Sequence, residues 1–249
     1  MSEELHLEHT PDAIRRRIAS TPRHSYLRDL VYGAIDGTVT TFAVVAGVRG
    51  ADLDATIVLI LGMANLIADG FSMATSNFLS SRAELQQIAQ TRKNEQHHID
   101  TVPEGERAEL REIFSAHGIT GSTLEDVVDA VSRNHERWID IMLTHEHGMR
   151  LHHPSPTRAA AATFAAFIVI GAIPLAPFII ELAIGGLGVD VFAISAAATA
   201  AAFFAVGAAK GHVVEQRRWL SGLETLALGG AAAMLAYVVG ALLRGVAGG

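Results

Sequence analysis

The sequence predicts an all-α, polytopic membrane protein with five transmembrane helices and a cytosolic three-helix insert, rich in metal-ligating side chains, between spans two and three. Three observations predict it. Half of the 249 residues are hydrophobic and 18% are charged, with a mean hydropathy of +0.31, whereas a soluble domain has about a quarter of its residues charged. The apolar residues collect into long runs almost free of charge. A wet stretch, 82–158, separates the second run from the third and holds 13 of the 26 acidic residues and 8 of the 12 histidines. The chain therefore divides into a cytosolic arm (1–26), spans one and two (27–81), the insert (82–158) and spans three to five (159–249).

The arm places Glu3, Glu4 and Glu8 ahead of Arg15, Arg16 and Arg17. A signal peptide has the opposite order, a basic start and then an apolar core, so none is predicted. Leu30–Val48 is interrupted only by Asp36, and Ala55–Ser80 carries Asp69. Ala159–Ile180, Val191–Ala209 and Thr225–Leu243 contain no charged residue, and at 1.5 Å per residue each reaches about 28 Å or more, enough to cross a bilayer. Pro174 and Pro177 in GAIPLAP predict a kink or local opening of the third span, with carbonyls that neighbours must satisfy. With the N-terminus inside, the arm through Arg28, the insert and the 210–220 loop hold 17 of the 19 basic residues on the cytosolic side. That distribution predicts N-in and C-out.

The insert reads as short helices. Arg82–Ile99 continues the second span; Thr101 with Glu104 resembles a capping box, with Pro103 at an early helical position, and Gly118 suits a stop. Thr123 with Asp126 marks another start, leading through a break near Asn134 into Arg133–Arg150.

The absence of cysteine removes disulfides, thiolate metal sites and a cysteine nucleophile, leaving carboxylate, imidazole and thioether as metal ligands. The net charge of −7 argues against a nucleic-acid partner. On a helix, residues three apart share a face, so Glu95 with His98, Glu106 with Glu109, and Glu109 with Glu112 each offer two donors to one point. Such donors suit Fe²⁺, Mn²⁺ or Zn²⁺, and a solvated acidic surface is the plainer alternative. Met142, four residues before Glu146, adds a thioether and a carboxylate from one face, although methionine more often fills cores. His145, His147, His152 and His153 cluster at the end of the insert, where ordinary surface histidines are equally expected.

Ionisable groups within spans are costly and therefore informative. Asp36 lies about two turns into the first span, beside Gly33 and Gly37, which permit close approach of another helix. Asn65, Asp69 and Met73 recur at i, i+4 and i+8 on the second span, a stripe that reads either as a cation track or as an inter-helix hydrogen-bond network beside a packed methionine.

YGAIDGTVTTFAVVAG, ADGFSMATSNFLSSRAE, GAIPLAP, FAVGAAKG and GLETLALGGAAAMLAYVVG together resemble the vacuolar iron transporter family, which includes plant nodulin-like relatives, over about Tyr26 to Leu243. The resemblance implies a five-span homodimer with the translocation path between subunits, and a cytosolic metal-binding domain between spans two and three. It further implies export of Fe²⁺ or similar ions from the cytosol in exchange for protons. Asp36 and Met73 match the family's pathway aspartate and methionine, and Glu95, Glu106, Glu109, Glu146 and Met142 match its cytosolic ligands. Three positions depart: Asn65 stands where the family has a glutamate, with a carboxylate one turn on at Asp69; His98 replaces a glutamate; and Leu143 replaces a second methionine.

The expected protein is a transporter and not an enzyme. Its partners are the lipid bilayer, a second copy of the chain, divalent ions and protons. No cofactor is expected to be permanently bound; Fe²⁺, or Mn²⁺, Zn²⁺ or Co²⁺, is both cargo and regulatory ligand. The alternatives are a Mn²⁺-preferring exporter, a membrane-tethered metal buffer or sensor, and a carboxylate di-iron oxidase. The last needs two Glu-x-x-His motifs, and only Glu95–His98 is found. The Ala- and Arg-rich composition, with no sorting signal recognised, predicts a bacterial plasma membrane.

Overall fold

The computed structural model describes residues 9–19, 25–151, 153–186 and 188–247; Glu3, Glu4, Glu8 and His152 lie outside them. The described residues form helices joined by turns, with no strand among them. In chain order these are α1 (Pro11–Ala19), α2 (Leu27–Gly50), α3 (Ala55–Thr101), α4 (Pro103–Ala116), α5 (Ser122–Ser132), α6 (His135–Ile141) with a π-helical turn at Met142–Glu146, α7 (Pro156–Gly171), α8 (Ala176–Ile184), α9 (Val191–Val213) and α10 (Arg218–Ala247). Two compact units emerge, Tyr26–Glu84 with Pro154–Gly249, and Leu85–His153 with the N-terminal segment.

In the apolar unit, α2, α3, α9 and α10 are long and apolar enough to cross a membrane. The predicted third span is broken: α7 and α8 meet at a 52° bend, and together they make a fifth crossing if they form one span. The break falls at 172–175, beside Pro174. Its freed carbonyl accepts a 2.6 Å hydrogen bond from the buried Ser195 hydroxyl of α9, so the opened backbone is satisfied by a neighbour.

Helix α2 packs against α7, α9 and α10. Its glycines set that spacing, since a Cβ at Gly33 would collide with the Thr163 carbonyl and one at Gly37 with the Phe167 backbone, both on α7. Val45, Val48, Val58, Leu66, Phe167, Leu175, Phe178 and Val191, from α2, α3, α7, the bend, α8 and α9, form the core of this unit. Without a hydrophobic drive between helices in lipid, close contact and polar links carry the association. One such link is Asn77, which donates to Asp29 Oδ1 at 2.9 Å and to Thr163 Oγ1 at 2.7 Å.

In the polar unit the end of α3, α4, α5, α6 and the π turn enclose Ile99, Leu110, Val128, Trp138, Ile139, Met142 and Leu143. Helix α3 does run on from the second apolar run, through Thr101. The next helix starts differently from expectation: Val102, not Thr101, is the residue before α4, and no side chain caps it. Pro103 still occupies the first turn, where its missing N–H costs nothing. Gly118 has φ +84° and ends α4 as its lack of a Cβ allows. Helix α5 starts after Gly121 without a side-chain cap, one residue ahead of the expected Thr123. The Asn134 break is present, and the Asn134 side chain caps α6 by accepting from the Arg137 N–H. Helical structure then stops at Glu146 in the π turn and does not reach Arg150.

Candidate metal centre

Four titratable side chains of the polar unit converge on a fifth, Glu95. Glu95 and His98 come from the last turns of α3, Glu106 from the first turn of α4, and Glu146 and His147 from the end of the π turn. The irregular Val102 (φ −133°, ψ 55°) breaks α3 from α4, and Glu106 of the new helix then meets His98. The His98 Nδ1 lies 3.4 Å from Glu106 Oε1 and 4.0 Å from Glu95 Oε1. The His147 Nε2–H donates to Glu95 Oε1 at 2.9 Å and sits 3.7 Å from Glu146 Oε2.

The π turn decides the last contact. At 3.6 residues per turn, five steps along an α-helix swing a side chain about 140° away. A π turn is closed by i→i+5 hydrogen bonds, which bring residue i+5 back roughly over residue i. Here the His147 N–H bonds the Met142 carbonyl at 3.1 Å, so Glu146 and His147 share the face that meets α3.

Glu95 and Glu106 are 2% and 3% exposed, and each leaves Oε2 buried with no hydrogen-bond partner. Burying carboxylates this deeply costs several kcal/mol per ion unless charge compensates it. Three arginines of this unit are engaged elsewhere: Arg92 pairs with Asp140 at 2.5 Å, Arg107 with Asp129, and Arg111 with Glu125 at 2.9 Å. Among the described residues, the ion-pair partners of Glu95, Glu106 and Glu146 are histidines. Burial, reinforced by Glu109 and Glu95, pushes the Glu106 carboxyl up to about 7. Burial also raises Glu146. The hydrogen bond to Glu95, reinforced by Glu146, holds His147 above the usual imidazole value.

Two ligand sets result, Glu95–His98–Glu106 and Glu95–Glu146–His147, each with its donor atoms within 4.8 Å of one another. Ligand bonds of about 2.0–2.2 Å to N and O need only a small contraction of either set. Of the residues named from sequence, the structure thus gathers Glu95, His98, Glu106 and Glu146. Glu109 is exposed and acts on the cluster through its charge. Met142 is fully buried in the apolar core. From sequence, His147 is visible only as one of four clustered histidines, with nothing that singles it out. Among the others, His145 stacks edge-on against His117 and His153 bonds the Arg150 carbonyl.

In the apolar unit Asp36 is half-buried on α2, and Asp69 of α3 is near enough for their charges to interact. Asn65 donates to Asp69 Oδ2 at 2.5 Å, while its own Oδ1 is buried without a partner. Met73 packs against the shared apolar core.

The sequence pattern described as the VIT family matches residues 27–241. The chain belongs to the VIT family. A Vacuolar iron transporter of Toxoplasma gondii is 33% identical over 229 residues, covering 90% of this chain and 76% of that protein. Vacuolar iron transporter 1 of Arabidopsis thaliana is 33% identical over 221 residues, covering 88% and 86%. A Vacuolar iron transporter of Plasmodium berghei is 27% identical over 225 residues. The VIT match runs through both units, so the Glu95 cluster and the Asp36–Asp69 pair both fall within it.

Proposed function

We propose that this VIT-family chain exports a divalent cation, Fe²⁺ in the first place, from the cytosol in exchange for protons. One observation carries the reading: two almost fully buried carboxylates, Glu95 and Glu106, face histidines and one another with no Arg or Lys partner among the described residues, each with an oxygen that has no hydrogen-bond partner. A divalent cation supplies the charge and the ligand bonds that such a cluster lacks. The names of the relatives, vacuolar iron transporters, support iron as the cargo.

In this reading the polar unit, Met142 included, faces the cytosol and captures the ion by electrostatic focusing. The ion then passes Met73, Asn65, Asp69 and Asp36 at the interface of a homodimer. The apolar side chains exposed on α3, Ile60, Leu61, Ile67 and Phe71 among them, support a surface covered by lipid and a second copy. Protons move the other way on the same carboxylates, because a group that binds either H⁺ or M²⁺ couples the two by competition. The placement of basic residues supports N-in and C-out, and the composition supports a bacterial plasma membrane, in contrast to the vacuole in the relatives' names.

Flux in proteoliposomes, with and without a pH gradient and across Fe²⁺, Mn²⁺, Zn²⁺ and Co²⁺, tests the proposal. Gradient-dependent Fe²⁺ movement is expected. Faster Mn²⁺ flux would make Mn²⁺ the cargo, and tight binding with no flux of any ion would make the protein a membrane-tethered metal buffer.

A further inference from the structure

His147 belongs to none of the positions that the family resemblance assigns, yet it makes the closest contact in the cluster. Its Nε2 is 2.9 Å from Glu95 Oε1 and 3.7 Å from Glu146 Oε2, while the second Glu95 oxygen is buried without a partner. The backbone spends an i→i+5 turn to bring it there, and π turns of this kind concentrate at functional sites.

We propose that His147 is itself a metal ligand, completing with Glu95 and Glu146 a second, nitrogen-bearing set that shares Glu95 with His98 and Glu106. The cluster then presents two imidazoles, one to each set. Nitrogen donors favour Fe²⁺, Co²⁺ and Zn²⁺ over Mn²⁺, whereas an all-carboxylate cluster suits Mn²⁺ and other hard ions. His147 is thereby a specificity-determining residue for borderline divalent cations. In the metal-free protein the Nε2–H bond to Glu95 holds the ring in place; the incoming ion takes the position of that hydrogen, the bound ring carries its one proton on Nδ1, and any second proton passes to water.

The inference rests on the cluster being a cation site, and the test separates the two. The full-length protein in detergent is loaded with Mn²⁺, and directly coordinated ¹⁴N is counted by pulsed EPR; Co²⁺ and Mn²⁺ affinities are measured by titration. The wild type is expected to show one nitrogen per bound ion, from His98 or His147; in His98→Gln the ¹⁴N coupling that remains is that of His147, and it is expected to vanish when His147→Leu is added. Because loss of a supporting partner alone costs about 10–100-fold in metal affinity, His147→Leu is expected to lower Co²⁺ affinity at least about tenfold, and Mn²⁺ affinity less. His147→Gln keeps a donor for Glu95 but no nitrogen ligand, so it is expected to behave like His147→Leu. The exposed His117, replaced by Gln, is the imidazole control and leaves both affinities unchanged.

Absence of ¹⁴N coupling to the Mn²⁺ bound by His98→Gln overturns the ligand assignment. Recovery of Co²⁺ affinity in His147→Gln overturns it too, by reducing His147 to a group that positions Glu95. Absence of Co²⁺ and Mn²⁺ binding altogether overturns the cluster reading, and the ligand assignment with it.

Discussion

The His147 imidazole donates a 2.9 Å hydrogen bond to the Glu95 carboxylate across 52 residues of sequence, joining the π turn to the end of α3. Among the described residues, the ion-pair partners of this buried anion are histidines and not Arg or Lys, so the cluster stays open to an exchangeable cation. The strength of the His147–Glu95 bond also depends on protonation.

Divalent-ion affinity is expected to fall as pH drops through neutrality, because Glu106, with its carboxyl pushed up to about 7, takes up a proton in that range. For the metal-free protein the sign is opposite. The folded state binds this proton more tightly than the unfolded chain does, so stability is highest near the ordinary glutamate value and declines as pH rises toward and through about 7. His147 acts in the same sense, since its raised affinity for a proton contributes stability that is lost as pH rises through its folded value. Melting temperatures in chelator and in Co²⁺, compared between about pH 5.5 and 8, are expected to diverge steadily as pH rises. Parallel curves would contradict the assignment.

Glu95 is common to both ligand sets. Glu95→Gln is expected to abolish most of the metal-induced rise in melting temperature, which at a hundredfold excess over the dissociation constant corresponds to about 2.7 kcal/mol in the parent. Replacement of the exposed Glu112 in the same way is expected to leave that rise intact. Calorimetry or a fluorescence melt of the detergent-solubilised chain reads both.

Within the spans, Asp36→Asn is expected to remove Fe²⁺ flux in proteoliposomes while leaving Co²⁺ binding at the Glu95 cluster unchanged. Asp69→Asn is expected to slow flux strongly. If the carboxylate is needed on that helical face and not at one residue, Asn65→Asp combined with Asp69→Asn restores much of it, since the two positions lie one turn apart and are hydrogen-bonded. Parental flux in Asp36→Asn would remove that residue from the pathway.

Ser195→Ala leaves the Pro174 carbonyl without its 2.6 Å donor. An unsatisfied buried acceptor costs about 1–3 kcal/mol, so the variant is expected to melt earlier without altered metal binding. A melting temperature equal to the parent's would show that another group satisfies the bend.

Much of this was legible in the chain itself. Uncharged runs announced the spans, because lipid tolerates few charges. GAIPLAP announced a break in the third span, because proline cannot donate its backbone bond, and Asn134 announced the break before α6. The capping box at Thr101 and Glu104 was not formed: Val102 takes the position before α4, and α3 absorbs Thr101 into its own last turn. In the cluster, Glu95 with His98 followed from α-helical spacing. Glu106 and Glu146 had the right chemistry, but no local rule could bring either of them to Glu95.

The sequence alone determined that this chain is helical, membrane-embedded and equipped with a separate acidic, histidine-rich segment, since composition and periodicity are local properties. Tertiary structure alone decided which donors meet. Packing around Ile99, Leu110 and Met142 closes α3, α4 and the π turn on one another, and the i→i+5 turn rotates His147 onto Glu95. Helical periodicity read from sequence assumes α geometry throughout, so a residue delivered by a change in helix pitch is invisible until the backbone is seen.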